Sequence, residues 1–434
     1  MRSFVRLSCI ASIAVLLAAG CGGSGNNPDI ACVEGVCPCN EGGIREAIDE
    51  GAGRYTFDCD GPTTVITGRE IVIENDVTLD GEGNLTVDAN RRHRVFSVPD
   101  GVTAELIRLN VTNGNQTEEN GGGIRNEGTL TLRSSTVSGC STGRPTGCRT
   151  DNAALLCSEG GGIWNVGTLT LINSTVSGSS SNFGGGIANR GGGLTLIDTE
   201  IRTSSAAGCS VGAVVCSGGG GIWNSGALTM MNSRVSGSTA DWGGGIYNQG
   251  VPNLANSTVL TNTTISGNSA GFDGGGVLNF QSLTLIDSTV ADNTADQSGG
   301  GVSNAGGTLE VSRSTFSGNT AVAAGGAIFN LAGATTNLLN ATVSGNAAET
   351  GGGIYTGGAL SILSSTMVGN DAPTGRAIYD PGTSDSDPRS ITRSLIEGDC
   401  GGERFESGGH NVESPGNTCL FDQQTDRTDE DQID

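Results

Sequence analysis

The sequence predicts an all-β chain: a single right-handed parallel β-helix of about 24–26 residues per rung, with a short N-terminal capping helix. Three observations predict it. One phrase recurs, clearest from Gly219 to Asn248 as GGGIWNSGALTMMNSRVSGSTADWGGGIYN. The residue after each glycine run is Ile124, Ile163, Ile187, Ile222, Ile246, Val277, Val302, Ile328, Ile354 and Ile378, at intervals of 39, 24, 35, 24, 31, 25, 26, 26 and 24. Each unit also offers three short extended pieces, of the types GGI-x-N, LTL and TVSGN, in which side chains two apart share a face. Three strands in about 25 residues make one turn of a parallel β-helix. About a dozen such rungs, about 4.8 Å apart, give a rod roughly 55–60 Å long. Glycine is 74 of 434 residues without a G-X-Y period, which excludes collagen, and regularly spaced Ile, Val and Leu argue against disorder.

The chain opens with a targeting segment, residues 1–20. Arg2 and Arg6 form a basic n-region, and Cys9–Ala19 is an apolar stretch too short to span a bilayer. Leu17-Ala18-Ala19-Gly20-Cys21 resembles a bacterial lipobox, with Ala18 where the pattern prefers Leu. The resemblance implies that Cys21 is acylated and becomes the mature N-terminus; the alternative is a plain signal peptide cut beside it. Residues 21–31 then read as a lipidated tether, rich in Gly and Asn.

Residues 32–62 read as an N-terminal cap. Within them GIREAIDE, 43–50, places Ile44, Ala47 and Ile48 on one helical face, suited to covering the first rung. Short apolar runs such as VTLDG and LTVD follow, so the β-helix is assigned to 63–379, with regular repeats over 121–379. Residues 380–434 lose the repeat and read as an acidic C-terminal cap. Export makes disulfides the default for the cysteines. Cys209 and Cys216 would form a local clasp in an inserted loop, and Cys400 and Cys419 would clip the C-terminal cap. Eleven cysteines beyond Cys21 leave one thiol over, free or intermolecular.

Net charge is −23 and every base is arginine. The repeats, 121–379, hold 13 acids and 9 arginines; residues 29–120 hold 18 and 7, and residues 380–434 hold 14 and 4, so the acid sits at the ends. Nucleic acid is excluded as a partner, because phosphate binding needs a basic surface.

Two residues beyond the apolar position stand Asn126, Asn165, Asn189, Asn224, Asn248, Asn279, Asn304 and Asn330; Thr356 and Asp380 then break the column. Stacked amides hydrogen-bond along a ladder, so these are read as structural. A second ladder comprises Asn268, Asn293, Asn319, Asn346 and Asn370.

The GGGI and SGN phrases look like the repeats of chlamydial polymorphic outer membrane proteins; Phe316-Ser317-Gly318-Asn319 fits their FxxN element. GGIREAI resembles the CSLREAI signature of bacterial surface β-helix proteins, with Gly42 at the cysteine position, and Cys400–Cys419 resembles their closing segment. The resemblance covers residues 39 to 420. It implies right-handed, pectin-lyase-like β-helices at the outer membrane or cell surface of Gram-negative bacteria, some of them adhesins. It implies no single activity, and the lipid at Cys21 would anchor this chain in place of an autotransporter barrel.

Polysaccharide lyases and glycoside hydrolases use such scaffolds and form the alternative reading. Paired carboxylates are required of inverting hydrolases, but Asp241 and Asp273 lie in loops, Asp198 and Asp287 are similarly placed but three rungs apart, and no acidic cluster is legible near Arg234 or Arg313. No catalytic residue, metal or cofactor is therefore assigned. One column stays unexplained. The residue between Ile and Asn points outward, and there stand Trp164, Trp223, Tyr247, Phe329, Tyr355 and Tyr379 in a chain with 4% aromatics. They form a candidate binding strip for a polysaccharide or a surface protein; the competing reading is that they stabilise the β-face by stacking on one another or are roofed by the glycine-flanked loops.

Overall fold

The computed structural model describes residues 31–117, 119–143, 149–151, 154–208, 217–250, 257–382, 387–403 and 405–428. The segment 1–20, Cys21, Cys209 and Cys216 lie outside these residues. The chain is an all-β parallel solenoid of about 12 turns and about 26 residues per turn, with one helix among the described residues.

Three long parallel sheets of 15, 13 and 14 strands run the length of the rod. One turn shows how the repeat makes them. Ile163–Asn165 belongs to the 13-stranded sheet, Thr168–Ile172 to the 15-stranded sheet and Thr175–Ser177 to the 14-stranded sheet. A fourth strand of two residues, Ser180–Ser181, forms a further sheet of eight strands that the three-piece reading of the repeat omits. Register is kept across every gap, so Ile163 pairs with Ile187, Ile187 with Ile222 and Ile222 with Ile246 although 24 to 35 residues separate them. Leu130, Leu169, Leu194 and Leu228 stack in the same way. These apolar columns fill the interior and are fully buried.

Each glycine of a triplet meets a different demand. Gly219 has φ 66°, which favours glycine, and a Cβ there would lie 2.2 Å from the Ile222 carbonyl oxygen. At Gly220 a Cβ would lie 2.4 Å from the Thr239 oxygen and 2.5 Å from the Gly244 oxygen. The chain therefore doubles back closely over the strand it is about to enter. Between the 15- and 14-stranded sheets the turn residues Asn173, Asp198, Asn232, Asn262, Asp287 and Arg313 all have φ between 48° and 50°, a conformation Asn and Asp tolerate well.

The N-terminal end is closed by the helix Glu41–Glu50, two residues longer than the apolar periodicity predicts. Asn40 caps it by accepting from Gly43 N at 2.9 Å, which fixes the earlier start. Ile44, Ala47 and Ile48 face the core, and Gly43 abuts the Pro38 carbonyl. Disulfides Cys32–Cys37 and Cys39–Cys59 tie this end, and Cys400–Cys419 ties the other. Parallel pairing extends beyond residue 379 through Arg389–Thr392 and Leu395–Glu397 to Val412–Ser414. Among the described residues no helix is long and apolar enough to cross a membrane.

Candidate functional site

The asparagine columns lie inside. Asn126 donates to Asn165 Oδ1 at 2.6 Å, Asn165 to Asn189 at 2.8 Å and Asn189 to Asn224 at 2.8 Å. The row continues through Asn248, Asn279 and Asn304 to Asn330, which donates to Thr356 Oγ1 at 3.1 Å. Most Nδ2 groups also reach a corner carbonyl, for example Asn279 to Gln281 O at 2.7 Å. With both amide hydrogens engaged and the side chains buried, this column has nothing to offer a ligand. The row ends at buried Asp380, paired with Arg389 Nε at 2.6 Å. Burial pushes the Asp380 carboxyl above its ordinary value, against the lowering effect of the Gly382 N–H and Arg389.

The second ladder is longer than its asparagines. Ser238 N donates to Asn268 Oδ1, Ser204 N to Ser238 Oγ and Cys140 N to Ser179 Oγ, so serine and cysteine occupy the same column nearer the N-terminus. Cys140 is therefore a ladder residue of the solenoid wall, its Sγ also accepting from Gly114 N at 3.3 Å. It is a free, buried thiol whose pKa burial pushes up to about 12. Cys157, by contrast, is disulfide-bonded. A third row, absent from the sequence reading, runs through Ser135, Ser174, Thr199 and Ser233, each backbone N–H donating to the next hydroxyl.

The aromatic column is in register on the outer side of the 13-stranded sheet: Trp223 pairs with Tyr247, Phe329 with Tyr355, and Tyr355 with Tyr379. Its middle is roofed. Trp223 is 8% exposed, and Leu278 and Ser303, which continue the column, are 1% exposed. The segments entering each glycine run form single bridges over this face, Glu159 to Phe183 to Gly218 to Trp242. Gly218 lies so close to Tyr247 that a Cβ would sit 2.2 Å from its Cδ1, and Phe183 tilts against Trp223 with centroids 5.9 Å apart. Burial accordingly raises the Tyr247 pKa. Trp164 is held by polar contacts: its Nε1 donates to Glu159 at 2.9 Å and Arg125 lies 5.3 Å over its ring. Only Phe329, Tyr355 and Tyr379 form a half-open run, with centroids 5.0 and 5.6 Å apart.

Side chains that the repeat spacing keeps apart meet elsewhere. Glu200 and Arg234 are partners on adjacent strands, although 34 residues separate them. With Asp198, Asn232, Asn262 and Thr264 they line an open groove of about 510 Å³ along the turn column. Arg313 is bidentate to Asp287 at 2.7 and 2.9 Å. Each arginine thus has acid beside it, Asp198 and Glu200 near Arg234 and Asp287 on Arg313, contacts that the repeat spacing did not show. An insertion between neighbouring rungs hid Glu200 and Arg234 from a search by period; aligning the strands across it would have revealed them. Among the described residues no group of three or more His, Cys, Asp or Glu is placed to hold a metal ion.

No family model, curated protein or solved structure matches this chain.

Proposed function

We propose that this chain is an exported lipoprotein, anchored through Cys21, whose solenoid serves as a structural and adhesive rod at the outer membrane or surface of a Gram-negative bacterium. The half-open run Phe329, Tyr355 and Tyr379 carries the adhesive part of this reading. The rings turn their faces to one another and their edges outward, and Leu331 beside them is 43% exposed. Sugar rings dock on free aromatic faces, whereas ring edges and leucine suit an apolar protein patch, so a surface protein is the favoured partner at this strip. The apolar core and continuous ladders supply the rigidity an adhesive rod needs. The resemblance of the repeats and of Leu17–Cys21 to bacterial surface proteins and lipoproteins supports the address.

The test has two parts. Cells expressing the chain should incorporate labelled palmitate and retain it in the membrane fraction, and Cys21→Ala should abolish both. Beads coated with residues 32–434 should adhere to bacterial or host cells, and F329A/Y355A/Y379A should lower adhesion at least tenfold while leaving the far-ultraviolet dichroism unchanged. Equal adhesion by the triple variant would overturn the reading of the strip. A polysaccharide-cleaving enzyme is the second reading, favoured by the convergence of Asp198, Glu200 and Arg234 on one groove. New reducing ends released from a polysaccharide panel would establish it.

A further inference from the structure

We infer that the groove along the turn column between the 15- and 14-stranded sheets binds an uncharged, extended polysaccharide lying parallel to the rod axis. It lies on a different face from the aromatic strip and has a different chemistry. One wall is the left-handed turn column and the other is the outward column of the 14-stranded sheet, where Glu200, Arg234 and Thr264 stand on successive strands.

The wall of turn residues is a partly used ladder. Asn232 donates to Asp198 Oδ1 at 3.2 Å and Asn262 to Asn232 Oδ1 at 2.8 Å, both at the exposed surface. Each bond uses one of two amide hydrogens and leaves the other for a ligand. This is the reverse of the interior column, where the second hydrogen is taken by a corner carbonyl. The floor is polar but closed: Ser174 and Ser233 turn their hydroxyls back to carbonyls at 172 and 231. An apolar ligand therefore finds no apolar bed. A polyanion meets Asp198 and Glu200, in a chain of net charge −23. The charges are also partly answered by residues beside the groove, since Glu200 lies 3.3 Å from Arg202 Nε and Arg234 donates to Ser266 Oγ at 2.7 Å. The remaining demand is for a neutral molecule rich in groups that both donate and accept. A linear glycan meets it. Stretched along the axis, it presents about one sugar to each rung, because rungs repeat about every 4.8 Å.

The experiment is titration calorimetry of residues 32–434 with cellohexaose, xylohexaose and mannohexaose, with hexagalacturonate as the anionic control. At least one neutral hexasaccharide should bind saturably and more tightly than the control. R234A/N262A should weaken it at least tenfold, and Thr264→Trp, which fills the groove without deleting a bond, should do the same. F329A/Y355A/Y379A should leave it unchanged. The inference is overturned by no binding of any neutral probe at millimolar concentration, by tighter binding of hexagalacturonate, or by affinity that survives both groove variants. Loss in the strip variant alone would move the glycan to the aromatic column and overturn it equally. Failure of the adhesion assay leaves this result standing, so the two readings fail separately.

Discussion

Replacing Asn304 tests whether the interior amide row holds the rod together. Asn304 is fully buried. Its Nδ2 donates to Asn330 Oδ1 at 2.9 Å, to Thr335 O at 2.9 Å and more weakly to Thr336 Oγ1 at 3.3 Å, and its Oδ1 accepts from Asn279 at 2.9 Å. In Asn304→Ala the Asn279 amide keeps Gln281 O and the Asn330 oxygen keeps the Thr336 hydroxyl. The Thr335 carbonyl loses its amide donor. That carbonyl is only part-buried, so the cost rests on the two net hydrogen bonds, about 0.5–1.5 kcal/mol each, and a small cavity, for a total of about 1–4 kcal/mol. Asn304→Thr should cost distinctly less. Thr356 already occupies this column, accepting from Asn330 at 3.1 Å and donating to the Gly358 carbonyl at 3.0 Å. Urea unfolding of residues 32–434, joined to hydrogen exchange of the rungs from 277 to 336, gives both the global and the local cost, which matters because a solenoid can open rung by rung. If N304A unfolds within 0.5 kcal/mol of the parent (roughly the scatter of ordinary surface substitutions), or N304T costs as much as N304A, the row is not the stabilising element argued above.

Three further outcomes follow from the same geometry. The Cys140 thiol should resist an aromatic disulfide reagent at pH 8 and react only in denaturant, because burial raises its pKa to about 12; C140S should fold normally, since Ser179 occupies the next place in the column. Asp80 is fully buried, and although burial works to raise its carboxyl, hydrogen bonds from Arg108, the Glu82 N–H and Arg54 outweigh that and hold it below the ordinary 3.8. Its contribution is therefore present above 3.8 and lost as pH falls through the lowered value; Asp80→Asn should reduce stability at pH 7 and flatten the acid limb of urea midpoints measured from pH 7 to pH 2, and an unchanged slope would refute this. Gly220→Ala should lower the melting temperature sharply or prevent folding, whereas Gly276→Ala should be mild, because Ala327 already stands buried at that place in its own triplet.

How much of this was legible depends on whether a feature repeats. The positions of Ile222, Asn224 and Leu228 recur in most units, and stacking forces equal positions into one column, so period alone places them in the interior. The two-residue strand Ser180–Ser181 has no apolar alternation to announce it, and it appears only because the rung below supplies its bonds. The roof over Trp223 was legible only as an alternative: outward orientation follows from alternation and the glycine-flanked loops offer a cover, but which residues supply it, Phe183 and Gly218, is a tertiary event. The Glu200–Arg234 pairing was hidden by an insertion that broke the period without breaking the register. The groove beside Glu200 and Arg234 is thus the feature that the repeat spacing describes least well.

The charge distribution has a physical cause in the same stacking rule. In a parallel solenoid a side chain meets the occupant of its own column above and below, at about 4.8 Å. Amides and aromatic rings gain from meeting their own kind. Like charges repel by about 0.9 kcal/mol per exposed pair in water at that distance, and a column sums the cost along the rod. The turn column obeys this constraint. From Asn173 it reads Asp198, Asn232, Asn262, Asp287, Arg313 and Asn340, so its two acids are separated by amides and its arginine lies beside an acid. Glu200 against Arg234, and Glu105 against Arg133 at 3.2 Å, follow the same logic. The excess of acid over arginine is largest towards the ends, 18 to 7 over residues 29–120 and 14 to 4 over 380–434, against 13 to 9 in the regular repeats. On this argument Asn262→Asp, which places an acid next to Asp287, should destabilise the rod at low ionic strength and recover in 1 M salt, where screening reaches about 3 Å. Asn262→Arg, set beside Asp287, should show neither effect. A salt-independent loss in N262D would point to packing in place of charge.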